Sequence, residues 1–222
     1  MFFKFPSTPH LSVLGGHNIR EDKVLTPSER HKFLRNSLTV EEKLDGSNLG
    51  LSFDEHGALH CQSRGNYLPF PFTGQWKLLN NWAITRTNRL FDELTTKYIL
   101  FGEWCYAKHS IFYNRLPDWF LGFDIFDKRS KEFLCEEKRN EMFRKMDISS
   151  VPTLSKGSFS ISELTHFCRE VSCFGQENKE GIYLRFDHAE FLGGRAKIVR
   201  GTFTQQIEEH WLKKPIVKNL IV

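Results

Sequence analysis

Short segments rich in aromatic and branched residues, several of them joined by tight turns, constrain the fold of this chain more than any other feature of its sequence. Residues 49–53 and 58–61 flank an Asp-Glu-His-Gly turn, and this pattern predicts a β-hairpin. Further strands are predicted at residues 98–105, 119–126, 181–186 and 196–200. Helical patterns lie between these strands without strict alternation. The sequence therefore predicts an α+β fold built on antiparallel sheets with flanking helices.

Two capping-box signatures mark the starts of helices, because Thr26 is followed at the third position by Glu29 and Ser160 by Glu163. The first signature, with Pro27 at the first helical position, predicts a short basic helix that ends near residue 35. Apolar residues at helical spacing predict further helices over residues 76–94 with one break allowed, 136–146, and 204–214 before Pro215.

The 222 residues contain no linker rich in proline, glycine or serine, so we expect residues 1–222 to form a single domain. Pro6 interrupts the first apolar residues too early for a signal peptide, and no apolar run approaches the roughly 20 residues of a membrane span. The five cysteines include no Cys-x-x-Cys pair, which favours reduced, mostly buried thiols over a zinc site or a disulfide framework. These features together predict a cytoplasmic protein without membrane association.

The composition excludes little about function. A formal charge of +4 permits a polyanionic partner without requiring one. The 21 phenylalanines are expected to lie mostly in the core, with a few left to stack on bases.

The segment Lys43-Leu44-Asp45-Gly46 is the strongest indication of chemistry, since it puts a lysine beside a carboxylate and a glycine turn. A nucleophilic lysine attacks phosphorus only as the neutral amine, so such a site is expected to lower the pKa of Lys43 by burial, neighbouring cations or a metal ion. The alternative is an ordinary surface turn, because Asp-Gly is a common hairpin signal.

This segment resembles motif I of the covalent nucleotidyltransferases, the superfamily of DNA ligases, RNA ligases and mRNA capping enzymes. Similar strings follow in the order of that superfamily's later motifs, at residues 63–65, 101–104, 120–125, 180–185 and 195–200. Ser47 and Asn48 after the Asp-Gly, together with the Phe-Asp-Ile of residues 123–125, are most similar to the RNA-ligase-2 branch. The resemblance implies an antiparallel-sheet nucleotidyltransferase domain, ATP-grasp-like in architecture.

The resemblance also implies roles for individual residues. Lys43 would carry AMP, with Asp45 and Lys197 completing the catalytic set. Lys197 and Arg195 would contact the α-phosphate of ATP, and Glu180 would hold magnesium or manganese. Glu103 would bind the ribose hydroxyls, and Phe123 would stack on the purine. Glu42 would accept a hydrogen bond from the adenine amino group. Asn48 and Arg64 would contact the ribose, a phosphate or the RNA terminus.

Each assignment has a structural alternative. Lys197 would ordinarily face solvent, Glu180 would belong to a charged turn, and Phe123 would pack in the core. Arg195 also departs from the superfamily pattern, which commonly has a lysine there, so Arg200 is a second candidate for that role. The chain ends about 22 residues after motif V, and the appended C-terminal domain of many ligases is therefore expected to be absent.

We interpret the chain as an ATP-dependent RNA ligase that seals 5′-phosphate and 3′-hydroxyl ends through lysyl-AMP and adenylylated RNA. The expected partner is RNA, held as a nicked duplex or a folded molecule, with an end-healing kinase or phosphatase as a candidate protein partner. RNA would be gripped by basic residues 30–35, 108–115 and 213–218. The alternatives are a DNA nick ligase, a broad-specificity end-joiner, a GTP-using guanylyltransferase and a non-catalytic nucleic-acid-binding relic.

Overall fold

The computed structural model describes residues 2–14, 24–200 and 215–222, and these residues form two antiparallel sheets with helices packed around them. The four-stranded sheet has the order β7 (Thr153–Gly157), β1 (Leu38–Lys43), β8 (Gly181–His188), β9 (Phe191–Val199). The five-stranded sheet has the order β3 (Leu59–Gln62), β2 (Ser47–Phe53), β4 (Tyr98–Trp104), β5 (Phe120–Asp127), β6 (Glu132–Phe133). The predicted α+β class with antiparallel sheets is confirmed.

Two helices begin where the capping residues predict. Helices α1 (Pro27–Leu34) and α5 (Ile161–Phe167) both open with a complete capping box, in which the Thr26 or Ser160 hydroxyl accepts from the backbone of the glutamate three residues on. The predicted helix over 76–94 is two helices, α2 (Leu79–Ile84) and α3 (Thr87–Leu94), and α4 spans Glu136–Met146 as predicted. The helix predicted over 204–214 lies outside the described residues.

Three strands, β1, β6 and β7, were not predicted from the sequence, and β1 is an inner strand of its sheet. Strand β1 lies between β7 and β8, with Lys43 opposite Gly181 and Val40 opposite Leu184. Its last three residues are Glu41, Glu42 and Lys43, so the strand lacks the apolar pattern expected of a central strand. Each of these charged side chains forms a hydrogen bond with another side chain.

The turn between β1 and β2 carries the chain from one sheet to the other. Gly46 lies in this turn, where a Cβ atom would come within 2.7 Å of the Trp104 carbonyl oxygen and 3.0 Å of the Glu103 side chain. A residue with a side chain cannot be accommodated there without moving the backbone of β4. The Asp-Gly of residues 45–46 is therefore a packed junction between the sheets, which excludes the surface-turn alternative for it.

Each sheet has its own apolar core. The larger cluster packs β2, β4 and β5 against α2, α3 and α4 around residues such as Leu51, Trp104 and Phe143, and a second packs β1, β8 and β9 against α5. A third, aromatic cluster joins the N-terminal segment to β4, β5 and β6 through Phe5, Phe101 and Phe133. The phenylalanines lie largely in these clusters, as the composition led us to expect.

All five cysteines are free thiols, and four of them are buried. The expectation of reduced, mostly buried cysteines is confirmed, with Cys173 as the exposed exception. Among the described residues, no helix has the length and apolar character needed to cross a membrane.

Candidate active site

A cavity of about 420 Å³ lies where the two sheets meet. Strands from both sheets and the N-terminal segment form its walls. The predicted site residues that line it are Glu42, Lys43, Asn48, Arg64, Glu103, Phe123 and Lys197. These residues are spread over more than 150 positions of the sequence, and the fold brings them to one place.

Lys43 and Glu180 form an ion pair at this cavity, with 2.6 Å between Nζ and Oε2. The pairing of β1 with β8 produces it, because Lys43 lies opposite Gly181, the residue after Glu180. The side chain of Lys43 remains 28% exposed, whereas that of Glu180 is 8% exposed. Lys43 can therefore still be reached from the cavity while its amine is held in one position.

The local electrostatics differ from those expected. Burial lowers the pKa of Lys43, but the carboxylates of Glu180, Glu103 and Asp45 together raise it above its ordinary value. Of the expected influences, burial does lower the pKa of Lys43, and lowering by a bound metal ion stays a prediction. The surrounding carboxylates favour the protonated amine, and added cationic charge near them would favour the neutral amine.

Glu103 and Asn48 face each other across the β2–β4 pairing at the cavity wall. Glu103 Oε1 accepts from the backbone N–H of Gly46 at 3.1 Å, and burial raises the pKa of Glu103 to about 8 although the Lys43 charge opposes this. The Oδ1 atom of Asn48 is buried and has no hydrogen-bond partner among the residues that the structure describes. Buried acceptors are almost always paired, so this atom marks a place where a ligand donor would be accommodated.

The N-terminal segment completes the cavity, which the sequence analysis did not anticipate. Its backbone runs beside Lys197, whose N–H donates to the Pro9 carbonyl at 2.9 Å and whose carbonyl accepts from Leu11 at 2.8 Å. The ring of Phe5 packs edge-on against Phe123 with 5.2 Å between centroids. The segment has no motif that links it to the site, so its contribution depends entirely on long-range packing.

Adjacent residues of β1 have different environments. Both carboxylate oxygens of Glu42 accept hydrogen bonds, from the Ser172 hydroxyl at 2.5 Å and the Cys173 N–H at 2.9 Å. Successive side chains of a strand point to opposite faces, so Glu41 shares its face with Lys43. Glu41 is fully buried, lines the cavity, and was not among the predicted site residues.

Arg195 and Arg200, the two candidates for a second motif V cation, both lie outside the cavity lining. Arg195 donates to Asp124 at 3.3 Å, and its guanidinium lies over the rings of Phe5 and Phe133 at 4.7 and 4.4 Å. Arg200 donates to the backbone carbonyls of residues 178 and 179. Both side chains stabilise the fold here, and the predicted phosphate contact of Arg195 has no support from its position.

Asp45 is also engaged in structural contacts. Its Oδ2 atom accepts from the backbone N–H groups of Ser110 and Ile111 at 2.7 and 2.9 Å, and its own N–H donates to the Tyr113 hydroxyl at 2.8 Å. These contacts attach the loop after β4 to the motif I turn. A direct catalytic role for Asp45 stays a prediction, while its positioning of this loop is visible in the structure.

His109 lines the cavity and was also missed from the sequence. Its Nε2 atom lies 3.2 Å from Oε1 of Gln75, which also accepts from the Ser47 hydroxyl at 3.1 Å. Burial lowers the pKa of His109 despite the charge of Asp45. The Ala-Lys-His-Ser segment around it has no distinctive spacing, so no sequence signal pointed to it.

The site is compatible with a divalent ion that takes most of its ligands from water and phosphate. Within residues 2–14, 24–200 and 215–222, no three His, Cys, Asp or Glu side chains converge as a metal cluster. Glu180 offers a carboxylate in direct contact with Lys43, and burial raises the pKa of Glu180 to about 7. Magnesium commonly binds through one or two carboxylates together with waters and phosphates, which matches this donor set.

A family model for RNA ligases matches residues 36–199, which span every strand of both sheets. The chain belongs to the RNA ligase family. This assignment places it within the nucleotidyltransferase superfamily that the motif order indicated. Among curated protein sequences, none matches the chain.

Solved structures share the fold of this RNA ligase family member. An archaeal ATP-dependent RNA ligase aligns with a TM-score of 0.63 at 18% identity, over 90% of this chain and 49% of that chain. A mutant of Naegleria gruberi RNA ligase with ATP and Mn aligns with a TM-score of 0.59 at 16% identity, over 81% of this chain and 54% of that chain. A putative ATP-dependent DNA ligase from Aquifex aeolicus aligns with a TM-score of 0.60 at 20% identity, over 91% of this chain and 51% of that chain. The chain thus spans about half the length of these proteins.

Proposed function

We propose that this chain is the nucleotidyltransferase domain of an ATP-dependent RNA ligase and that Lys43 is its nucleophile. The observation that supports this most directly is the position of Lys43, whose amine lies at the wall of a cavity that Glu103, Lys197 and Phe123 also line. An amine, a buried carboxylate, a cation and an aromatic ring are the groups that a covalent nucleotide site needs.

In the proposed first step, Nζ of Lys43 forms a bond to the α-phosphorus of ATP while the bond to the β-phosphate oxygen breaks. Pyrophosphate leaves with the electron pair of the broken bond. The Lys43 ammonium gives one proton to water before the attack, and its nitrogen gives a second to water as the N–P bond forms. Lys197 stabilises the charge on the α-phosphate oxygens, since a fixed cation is most effective where transition-state charge develops. A 5′-phosphate end then takes AMP from Lys43, and a 3′-hydroxyl displaces AMP to seal the strand.

Nucleotide positioning would follow from the cavity walls. The ring of Phe123 stacks on the purine, and the unpaired Oδ1 of Asn48 accepts from a ribose hydroxyl, beside Glu103. Arg64 is exposed at the rim and can meet a phosphate of the nucleotide or of the RNA end. Magnesium or manganese, held by Glu180 together with water and phosphate, would supply charge that offsets the carboxylates around Lys43.

We further propose that the partner is RNA with 5′-phosphate and 3′-hydroxyl ends, presented as a nick or within a folded molecule. Ends of this kind are produced by polynucleotide kinase and phosphatase reactions, which makes an enzyme of that class a candidate partner. The five free thiols suit a reducing compartment such as the cytoplasm. The DNA nick ligase alternative stands beside this proposal because the fold is shared with a putative DNA ligase.

Intact-mass measurement after incubation with magnesium and either ATP or GTP tests the first step. The parent protein should gain the mass of AMP with ATP alone, and Lys43→Ala should gain none. An adduct with GTP alone would favour a guanylyltransferase, and no adduct with either would favour a non-catalytic relic.

Matched nicked duplexes then separate the polynucleotide substrates. Sealing of a nick with RNA ends, and slower sealing of an all-DNA nick, supports the RNA ligase. The reverse preference would support the DNA nick ligase, and equal rates a broad-specificity end-joiner.

A further inference from the structure

A second cavity, of about 630 Å³, adjoins the cavity that Lys43 lines, and its charged side chains are cationic. The two cavities share Phe5, Pro6 and Arg64, and Lys4 lies on the wall of the second. Among the described residues, the exposed side chains of Lys4 and Arg64 have no ion pair and no hydrogen bond. The described lining also includes no carboxylate. Two cations without counter-charges favour a phosphate group in this cationic cavity.

A third cavity, of about 380 Å³, has mostly aromatic and aliphatic walls. Tyr67 and Phe70 line it, and their side chains are 37% and 74% exposed. The rings of Phe70 and Phe72 meet edge to face with 5.8 Å between centroids, which leaves a face of Phe70 open to solvent. His60 and Asn80 add hydrogen-bonding groups, and the described lining again includes no carboxylate. Exposed rings beside such groups are the arrangement that binds an unstacked base.

The cationic and aromatic cavities are connected along two segments of the chain. Tyr67 follows Arg64 by three residues, in a turn that the N–H of Ser63 closes by donating to the carbonyl of residue 66 at 2.9 Å. In the N-terminal segment, the ring of Phe2 meets that of Tyr67 edge-on with 5.3 Å between centroids, two residues before Lys4. The two cavities therefore belong to one surface, which begins at the rim of the cavity that Lys43 lines.

Resting on the proposed function, we infer that this surface binds the unpaired strand of an RNA end. A phosphate lies between Lys4 and Arg64, and a base stacks on Phe70 beside Tyr67. Proteins bind single strands in this way, with cations that follow the backbone and aromatic rings that stack on the bases. The unpaired cations and the continuity with the nucleotide site favour a polynucleotide over a protein partner.

This surface narrows the class of substrate. A base within a duplex is already paired and stacked, so the ring of Phe70 gains a partner only from an unpaired nucleotide. Of a nick and a folded molecule, the surface therefore favours a folded or overhanging RNA whose reacting end lies next to unpaired nucleotides.

Titration of a fluorescently labelled single-stranded RNA, and of the same sequence in a duplex, tests the base contact by anisotropy. Phe70→Ala removes the most exposed ring and should weaken single-strand binding about tenfold. Its duplex affinity should stay within about twofold of that of the parent, because paired bases do not reach the ring. Phe70→Trp offers a larger stacking face and should retain single-strand binding. Val171→Ala, at a side chain that is 51% exposed and lines none of the three cavities, should leave both affinities unchanged.

The phosphate contact is tested by the salt dependence of the same titrations. Lys4→Gln should lower the affinity for the single strand several-fold and reduce the slope of log affinity against log salt by about one. Arg169→Gln is the matched control, because Arg169 is also an exposed cation and lines none of the three cavities. It should leave the affinity and the slope unchanged.

Photo-cross-linking locates the bound strand directly. With a single strand that carries 4-thiouridine, the cross-link should fall within residues 65–77, the peptide that trypsin releases between Arg64 and Lys77. The cross-link should be lost in Phe70→Ala. A cross-link confined to other peptides would overturn the inference.

The remaining outcomes are also decisive. Unchanged single-strand binding in Phe70→Ala or in Lys4→Gln, or no binding by the parent, would overturn the inference. Self-association of the parent in sedimentation that Phe70→Ala abolishes would assign the aromatic cavity to a protein contact and overturn it as well. Adduct formation with ATP needs no RNA, so a parent that forms no adduct would overturn the proposed function whatever the titrations show.

Discussion

The amine of Lys43 and the carboxylate of Glu180 lie 2.6 Å apart across the β1–β8 pairing. Burial lowers the pKa of Lys43. The negative charge of Glu180 is the largest of the effects that raise this pKa above its ordinary value. Glu180 thus holds the amine in place and favours its protonated form.

Removing this charge should make the amine more reactive toward a simple reagent. In Glu180→Gln, the pKa of Lys43 should fall, so a larger fraction is neutral at pH 8 and an amine-selective acylating reagent should label it several-fold faster. Peptide mass spectrometry measures the rate, with exposed Lys32 as an internal reference. Equal labelling of Lys43 in both proteins would contradict the ion pair. The variant should nevertheless lose adduct formation with ATP, because the carboxylate proposed to hold the metal ion is gone.

The buried carboxyls should make stability depend on pH in an unusual direction. Burial raises the pKa of Glu103 to about 8 and that of Glu180 to about 7. Between the ordinary carboxyl pKa and these values, the folded state binds more protons than the unfolded state. The contribution of these two groups to the free energy of unfolding is therefore complete below the ordinary carboxyl pKa and is lost as pH rises through about 7 and 8.

Glu103→Gln isolates one of these groups, since the amide keeps an acceptor for Gly46 and does not titrate. Relative to the parent, the variant should gain about 2–3 kcal/mol of unfolding free energy between about pH 6 and pH 9. Urea unfolding at several pH values measures the difference. A constant difference across this range would show that Glu103 does not take up a proton on folding.

Asp124 should be among the most sensitive positions for stability. Its fully buried carboxylate accepts from Arg185 at 3.0 Å and from Arg195 at 3.3 Å. Asp124→Asn would leave the largely buried Arg195 without this counter-charge and Arg185 with only its pair to Asp187 at 3.3 Å. We therefore expect a loss of about 3–5 kcal/mol in chemical unfolding. Asp147→Asn is the matched control, because its pair with Arg89 is exposed, and it should change stability by less than about 1 kcal/mol.

Asn219 fastens the C-terminal segment to the loop after β4. Its buried side chain accepts from the N–H of Tyr113 at 2.9 Å and donates to the carbonyl of Cys105 at 2.8 Å. Tyr113 in turn accepts from the N–H of Asp45 in the motif I turn. Asn219→Ala should cost about 2–4 kcal/mol of unfolding free energy, because two buried backbone groups lose their partners.

This variant should also slow adduct formation more than it lowers the folded fraction, since the loop reaches the turn that follows Lys43. Adduct rates and unfolding curves on the same samples separate the two effects. Val222→Ala, at a side chain that is 89% exposed, should change neither. A variant with lower stability and a normal rate would limit Asn219 to a structural role.

Local signals in the sequence were sufficient for much of the secondary structure. Capping boxes at Thr26 and Ser160 located two helix starts, and the Asp-Glu-His-Gly turn located the β2–β3 hairpin. Each depends on hydrogen bonds or turn geometry within a few residues, which a sequence displays directly. Strand β1 was missed because its charged half resembles a surface segment until its partners are known.

By itself, the sequence determined the fold class and the family, because the order of short motifs and the alternation of strand and helix patterns survive without coordinates. Only the tertiary structure decided which charges face the cavity. It placed the carboxylate of Glu42 against Ser172 and Cys173, took Arg195 into the Asp124 cluster, and surrounded Lys43 with carboxylates that raise its pKa. Those outcomes depend on strand register and on partners about 70 to 140 positions away, since a shift of one residue moves a side chain to the opposite face of a sheet.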